Sequence, residues 1–239
     1  WIQGSNNLFG GINLKNGTRA VAFSFYSSGI SGFEQRNAPG ESNGDFSIQY
    51  VALSGAYSYN FKYITAGVAA HYINEEVYPY RATGYAFNAG LAGSFYNDRL
   101  TLGTALLNSG KMEKLNSTAT TLPTTFNFGL AMEVLEFAHP KNPDLPILAK
   151  IMADYVMPLG DSKEVITNFN PTENYLNLGL SLTISETLVV STGYKTQNNA
   201  RPLSFGIGLL TEKVVFNYAL IPFNTGFGTV HSIGLQYQL

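Results

Sequence analysis

The sequence predicts an all-β fold, a transmembrane antiparallel β-barrel, and three observations carry this prediction. Residues 175–184 alternate strictly, with four leucines and Ile184 on one face and small or polar residues on the other. The same pattern recurs along almost the whole chain, and turn residues separate its copies. The connections are alternately short and long. One small core cannot cover so many apolar faces, so we expect lipid to cover them.

The composition agrees with a barrel wall that has lipid on its outside and small or polar groups on its inside. Charged residues make up 13% of the 239 residues, against about 25% in typical soluble domains. The net charge is −2 and no basic run occurs, which excludes the electrostatic footprint of a nucleic-acid-binding protein. No apolar run approaches the roughly 20 residues of a membrane-spanning helix. The absence of cysteine excludes disulfides, thiolate catalysis and cysteine-ligated metals.

Segments in which apolar and polar residues alternate, each bounded by turn residues, predict thirteen strands. In chain order they cover residues 5–14, 18–26, 46–60, 63–74, 84–95, 100–108, 125–135, 147–156, 174–184, 187–194, 203–210, 214–221 and 229–238.

The connections between these strands predict their orientation. Short turns are expected at 15–17, 60–62, 96–99, 185–186 and 211–213, and long loops at 27–45, 75–83, 109–124, 157–173, 195–202 and 222–228. In outer-membrane barrels the short turns are periplasmic and the long loops extracellular. The segment 136–146, with three prolines, predicts one more loop, on the side of the short turns.

The parity of the strands predicts a missing N-terminal strand. With turns 15–17 and 211–213 in the periplasm, the first strand starts outside and the last ends in the periplasm at Leu239. A closed bacterial barrel has an even strand number and both ends in the periplasm. We therefore expect a single barrel domain over residues 1–239, with fourteen strands when complete.

Charges within the predicted strands are limited to Arg19, Glu133, Lys150 and Asp154. In strand 125–135 the residues predicted to face lipid are Phe126, Phe128, Leu130, Met132 and Val134. Glu133 therefore faces inward. The phase of strand 147–156 turns Lys150 and Asp154 inward as well, where a charge can be hydrated or paired. The sequence predicts an ion pair of Lys150 with Glu133 or Asp154 that fills the lumen, with a transport role as the alternative.

The last strand alternates His231, Ile233, Leu235, Tyr237 and Leu239 with small or polar residues up to the chain end. An amphipathic strand at the end of the chain is the signal that barrel-insertion machinery recognises. The usual terminal residue there is Phe, whereas this chain ends in Leu239.

Two neighbouring strands carry motifs of a known family. Residues 67–75 read G-x-x-x-x-Y-I-x-E, and residues 84–90 read G-x-A-x-N-x-G. With the segments 44–47, 106–110 and 218–239, they resemble the PorV/PorQ family of FadL-like barrels over roughly residues 30–239. Asn88 stands where that family usually has Asp, and the family's N-terminal segment with its Asn-Pro-Ala-like motif is absent.

The resemblance implies a fourteen-stranded barrel in the bacterial outer membrane, associated with the type IX secretion system. Members of this kind bind secreted cargo domains and hand them to other cell-surface proteins. Distant FadL relatives are instead channels for hydrophobic small molecules, and a structural barrel within a larger envelope complex is a third possibility. The expected partners are therefore the lipid bilayer, secretion-system or surface proteins, and secreted cargo.

No motif for chemistry is found. His71, His139 and His231 lack metal-ligand spacing, and no spacing brings together the set Ser191, His71 and Asp154. We expect no enzymatic activity, no metal and no cofactor. The candidates for partner contact are aromatic residues in the long loops: Phe33, Tyr78, Tyr80, Phe223 and Phe227. The alternative is that these side chains fold over the barrel mouth or join the aromatic girdle.

Overall fold

A computed structural model describes residues 5–34, 44–139, 142–159, 173–226 and 228–238, without the side chains of residues 5, 139 and 142–145. The predicted all-β antiparallel fold is confirmed: the strands follow one another along a thirteen-stranded sheet in chain order. In this part of the chain the first and the last strand form the two edges of the sheet. The described residues contain no helix long and apolar enough to span a membrane.

All thirteen predicted strands are present, and a two-stranded hairpin, β7 with β8, is additional. The strands are β1 (Ser5–Asn16), β2 (Arg19–Glu34), β3 (Asp45–Asn60), β4 (Ile64–Val77), β5 (Tyr80–Phe95), β6 (Leu100–Met112), β7 (Lys114–Leu115), β8 (Thr118–Ala119), β9 (Thr125–His139), β10 (Asn142–Pro158), β11 (Tyr175–Ile184), β12 (Leu188–Lys195), β13 (Leu203–Leu210), β14 (Val214–Pro222) and β15 (Thr229–Tyr237).

The predicted short turns are confirmed, and several of their residues have left-handed backbone conformations. Gly17 and Lys62 have positive φ angles of 58° and 74°. Ser185 and Glu186, with φ angles of 53° and 54°, form the pair of left-handed residues that a tight hairpin of the I′ type needs.

The predicted loop at 27–45 is wrong at its start, whereas β3 begins within one residue of its predicted position. β2 continues to Glu34, which pairs with Asp45, and the register shifts between Ile30 and Phe33. The Ser and Gly residues there suggest a turn, but the neighbouring strand supplies backbone partners whatever the side chains are. The rings of Phe33 and Phe46 stack across the strands at 5.0 Å.

Three further connections are shorter than predicted. The loop predicted at 75–83 is only the Tyr78–Pro79 turn, and the loop predicted at 109–124 is shorter because its preceding strand continues to Met112. The proline-rich segment 136–146 is strand, apart from residues 140–141, which lie outside the described residues. The carbonyl of Pro146 still accepts a hydrogen bond from the Ser185 amide, because proline lacks only the donor. The longer strands also contain charges that the sequence placed in loops, among them Glu75, Glu76 and Arg81.

By backbone contacts the chain divides into two compact units, and each is described by itself. Unit 1 contains residues 1–91, 105–126 and 158–172, and unit 2 contains residues 92–104, 127–157 and 173–239. The single domain and the fourteenth strand stay predictions.

Candidate functional site

Large apolar side chains are exposed on one face of the sheet in each unit. In β11 of unit 2, Leu178 is 45% and Leu180 42% exposed, and the alternating residues of the opposite face are less exposed. In unit 1, Leu53 and Val68 are more than half exposed on one face, whereas Ser54 and Ala69 lie on the other. We call these the apolar face and the polar face. The usual arrangement of a water-soluble sheet, with its apolar side covered, is reversed.

Buried hydrophobic residues are few in the described chain, and most are small. They are Ile73, Ala82, Ala86, Met112, Ala149, Val156 and Val230. Four of the seven form one cluster in unit 1: Ile73, Ala82, Ala86 and Met112. All buried hydrophobic residues described in unit 1 belong to this cluster.

A segment that we call the strap, residues 113–124, packs on this cluster. It contains the β7–β8 hairpin, and its Leu115 and Leu122 contact the buried residues together with Tyr50 and Ala52. Ala52 and Ile73 are direct cross-strand partners on the polar face of β3 and β4. The strap therefore covers the polar face of unit 1 near the end of the strands that carry the long connections.

Hydrogen bonds hold the strap along its length. At its start, the Glu113 amide donates to the Thr83 carbonyl at 2.7 Å, and the Thr83 hydroxyl donates to Glu113 Oε2 at 2.6 Å. At its middle, the Thr120 hydroxyl donates to Glu75 Oε2 at 2.7 Å. At its end, the Thr124 hydroxyl donates to the Asn108 carbonyl at 2.9 Å.

The segments that carry the family resemblance meet beside the strap. Asn88 Oδ1 accepts a hydrogen bond from the Asn108 amide at 2.7 Å, a role that an Asp carboxylate oxygen would also fill. Gly84 leaves room for the Met112 thioether, and a Cβ at Gly110 would clash with the Tyr85 carbonyl. Gly84 and Gly110 are therefore positions of close approach between strands, whereas a Cβ at Gly67 would make only ordinary contacts.

Among the described residues, no group of three or more ligand-type side chains is placed to hold a metal ion. His71 Nδ1 lies 2.7 Å from Ser54 Oγ, and its buried Nε2 has no hydrogen-bond partner. His231 Nδ1 lies 2.6 Å from the Tyr218 hydroxyl, and the side chain of His139 lies outside the description. In unit 2, Ser191 lies against Gly206 and Asp154 against Gly129, so the structure does not join these two in a catalytic set.

The three charges predicted to face inward lie on the polar face of unit 2. Lys150 Nζ is 3.3 Å from Glu133 Oε1, so Lys150 pairs with Glu133, one of its two predicted partners. The Asp154 carboxylate leans instead towards Gly129, where a Cβ would meet its Oδ1. Both members of the ion pair are partly exposed, which limits its contribution to stability.

Within unit 1, the structure brings two of the predicted partner-binding aromatics together. Tyr78 and Tyr80 flank Pro79 in the β4–β5 turn and are 60% and 44% exposed. Beside them Arg81 donates to Glu76 Oε2 at 2.6 Å. Phe33 is less exposed and stacks on Phe46.

The other two predicted aromatics belong to the connection before β15. Phe223, in unit 2, lies 5.7 Å from the Arg201 guanidinium, and Phe227 falls outside the described residues. The sequence did not identify the strap, since Leu115 and Leu122 are isolated apolar residues in a polar segment without periodicity.

The sequence matches no protein-family model and no curated protein.

Proposed function

We propose that this chain is a transmembrane β-barrel of the bacterial outer membrane, with its apolar face in contact with lipid. The observation that carries this proposal is the exposed row of leucines on β11 beside a less exposed polar face. In water such rows would cost about 25 cal/mol for each Å² of exposed apolar surface, a cost that lipid removes. The β-strand is also one of the two backbone structures that a bilayer accepts, provided that the sheet closes.

Within that membrane, we propose a non-enzymatic role: a PorV/PorQ-like component of a type IX secretion or surface-assembly complex that binds protein partners or cargo through its long-loop side. The exposed pair Tyr78 and Tyr80 supports this role, because exposed aromatic residues on loops are frequent anchors of protein interfaces. The strap supports it too, since a covered polar face suits a binding protein better than an open channel.

A FadL-like channel for hydrophobic small molecules is the second candidate, and one groove favours it. The groove lies on the apolar face of unit 1 and measures about 500 Å³. Gly55 and Ala70 form its floor, and its walls are large apolar side chains: Phe23, Leu53, Tyr72, Tyr85 and Phe87. A hydrocarbon chain fits such a lining, which offers it no charged side chain.

A pull-down tests the two roles. The tagged chain is extracted in mild detergent from the outer membrane of the organism that makes it, and the co-purifying molecules are identified by mass spectrometry. Secreted or surface proteins are expected with the wild type and should be lost from the double variant Tyr78→Ala/Tyr80→Ala. Tyr96→Ala is the matched control, because Tyr96 is 79% exposed in a short turn. A barrel that comes out alone, carrying fatty acid, would overturn the secretion role in favour of the channel.

A further inference from the structure

Two neighbouring strands of unit 2, β9 and β10, continue beyond the strands on either side of them. β6, the other neighbour of β9, begins at Leu100, whereas β9 runs on to His139. β11, the other neighbour of β10, ends at Ile184, whereas β10 begins at Asn142. The extra part lies on the side of the short turns and is roughly 20 Å long, at about 3.4 Å per residue. We call it the arm, and it consists of residues 134–139 and 142–146.

The base of the arm is held from both sides. The Glu133 amide donates to the Arg99 carbonyl at 2.8 Å, and the Ser185 amide donates to the Pro146 carbonyl at 3.0 Å. Arg99 Nη2 also pairs with Glu136 Oε2 at 3.1 Å. The arm is therefore fixed in direction before any partner arrives, which lowers the entropy that binding costs.

The edge of the arm on β9 carries backbone groups that face no other strand. In a strand, the amide and the carbonyl of one residue point to the same side, and every second residue points the same way. The Asn127 carbonyl accepts a hydrogen bond from a β6 hydroxyl, and the Glu133 amide donates to the turn before β6. Leu135 and Phe137 therefore point to that side too, where the described part of the sheet offers no strand because β6 begins further along.

Leu135 and Phe137 also place apolar side chains along this edge. They are 53% and 52% exposed, and by alternation from Glu133 they lie on the polar face. Lipid in contact with the apolar face would not cover them. The charge next to them, on Glu136, is compensated by Arg99. The edge thus combines backbone donors and acceptors with an apolar surface.

The edge of the arm on β10 is less suited to pairing. The Pro146 carbonyl points towards β11, so Asp144 points its backbone groups the same way. Proline has no amide hydrogen and aspartate brings a charge, and both features protect the edges of natural sheets from pairing. An added strand is therefore expected along β9.

We propose that the arm binds an extended segment of a periplasmic protein, which adds a strand to the edge of β9 along residues 134–139. The periplasmic position rests on the proposed function, because the short turns of outer-membrane barrels are periplasmic. The added strand lies in line with β6 and continues its pairing with β9. Backbone hydrogen bonds supply the affinity, and every second side chain of the segment packs on Leu135 and Phe137. Such a segment is uncharged and has apolar residues at alternate positions.

Hydrogen exchange of the purified full chain in detergent, followed by mass spectrometry, tests the edge. The probe is the peptide Thr-Val-Thr-Val-Thr-Val-Thr, and its control is the same peptide with every amide nitrogen methylated. We expect the plain peptide at millimolar concentration to slow exchange in residues 134–139, and the methylated peptide to leave it unchanged. No protection by the plain peptide, or equal protection by both, would overturn the proposal.

Two substitutions at Phe137 separate the side chain from the backbone. Phe137→Ala removes the ring and should weaken binding of the plain peptide about fivefold, the effect of losing one cross-strand pair. Phe137→Pro also removes the outward amide and should weaken binding about fivefold further. Proline is tolerated there, because this amide points away from β10. Tyr96→Ala is the matched control, since Tyr96 is 79% exposed in the neighbouring short turn, and equal affinities of the two Phe137 variants would contradict pairing through the backbone.

A cysteine at Ala138 locates the arm, because the chain has no native cysteine and Ala138 is exposed. A membrane-impermeant maleimide should label Ala138→Cys only after the outer membrane is permeabilised, and labelling in intact cells would overturn a periplasmic partner. Protection of residues 134–139 that needs no peptide and disappears on dilution would assign the edge to a second copy of the chain instead. Peptide binding in detergent does not depend on the membrane proposal, which recovery of the chain in the soluble fraction would overturn by itself.

Discussion

The Thr120 hydroxyl donates a hydrogen bond of 2.7 Å to Glu75 Oε2, although the two residues are 45 positions apart in the chain. Glu75 lies on β4 two residues after the buried Ile73, so the two residues are on the same face of the strand. Thr120 directly follows the β7–β8 hairpin. This single bond therefore joins the middle of the strap to the polar face that the strap covers. Its loss should favour the opening of the strap without changing the sheet beneath.

A thiol reporter can measure that opening, because the chain has no native cysteine. Ala86 is 1% exposed in the cluster under the strap, so the thiol introduced by Ala86→Cys should react slowly with a maleimide. Adding Thr120→Val should raise the reaction rate about fivefold, since a hydrogen bond contributes about 1 kcal/mol. The measurement is the rate of labelling by mass spectrometry.

The control for the strap is Thr118→Val in the same reporter background. Thr118 is exposed on β8, so its substitution should leave the labelling rate unchanged. Equal rates for the reporter with and without Thr120→Val would show that the bond does not hold the strap.

Gly110→Ala should destabilise the fold. The added methyl group would clash with the Tyr85 carbonyl and approach Ala86 Cα to 2.7 Å, so one strand must move away from the other. We expect a loss of about 1–3 kcal/mol in the free energy of unfolding, which is typical of overpacking. The midpoint of denaturant unfolding measures it.

Gly67→Ala is the matched control for Gly110→Ala. Its methyl group would lie 3.6 Å from Ser58 Cβ, which is ordinary contact, so the free energy of unfolding should change by less than about 0.5 kcal/mol. Equal effects of the two variants would contradict the close approach at Gly110.

The sequence predicted the sheet well because strand periodicity is local. In β11 every second residue is a leucine or isoleucine, and no other regular structure puts these side chains on one face. The ends of the strands were harder, because backbone pairing continues where side-chain alternation stops. Between Ser27 and Glu34 the residues suggest a turn, yet β3 offers hydrogen-bonding partners as far as Asp45.

The strap could not be predicted because its contacts depend on irregular backbone. Asn108 has a positive φ of 55° inside β6, and beyond it the strand continues to Met112 in the buried cluster. The motif at 106–110 suggests a strand end instead, since Asn followed by Ser and Gly is typical of turns. The ion pair of Lys150 was predictable in kind, but the choice of Glu133 over Asp154 depends on how the side chains lean.

The Lys150–Glu133 ion pair should contribute little to stability. Its side chains are 40% and 26% exposed, and partly solvated pairs contribute about 0.2–1 kcal/mol. A double-mutant cycle with Lys150→Met and Glu133→Gln should give a coupling energy in that range, smaller at high salt. The same cycle with Asp154→Asn in place of Glu133→Gln should give a smaller coupling, and a larger one would contradict the observed pairing.

Val189 and Val190 offer the sharpest test of the membrane proposal, because they are neighbours of the same type on opposite faces of β12. Val190 is 41% exposed on the apolar face, and Val189 pairs with Thr183 and Gly208 on the polar face. If the apolar face contacts lipid, Val190→Arg should cost about 1–3 kcal/mol of folding free energy in a bilayer. Unfolding by denaturant of the chain reconstituted in lipid vesicles measures this cost.

Val189→Arg controls for the size and charge of the new side chain. On the polar face an arginine can reach water, so this variant should be less destabilised than Val190→Arg in vesicles. The order of the two variants distinguishes the environments: in a water-soluble sheet an exposed position such as Val190 accepts arginine at almost no cost, whereas the less exposed Val189 does not. A Val190→Arg variant as stable as the wild type in vesicles would therefore show that the apolar face does not contact lipid, and it would contradict the outer-membrane proposal.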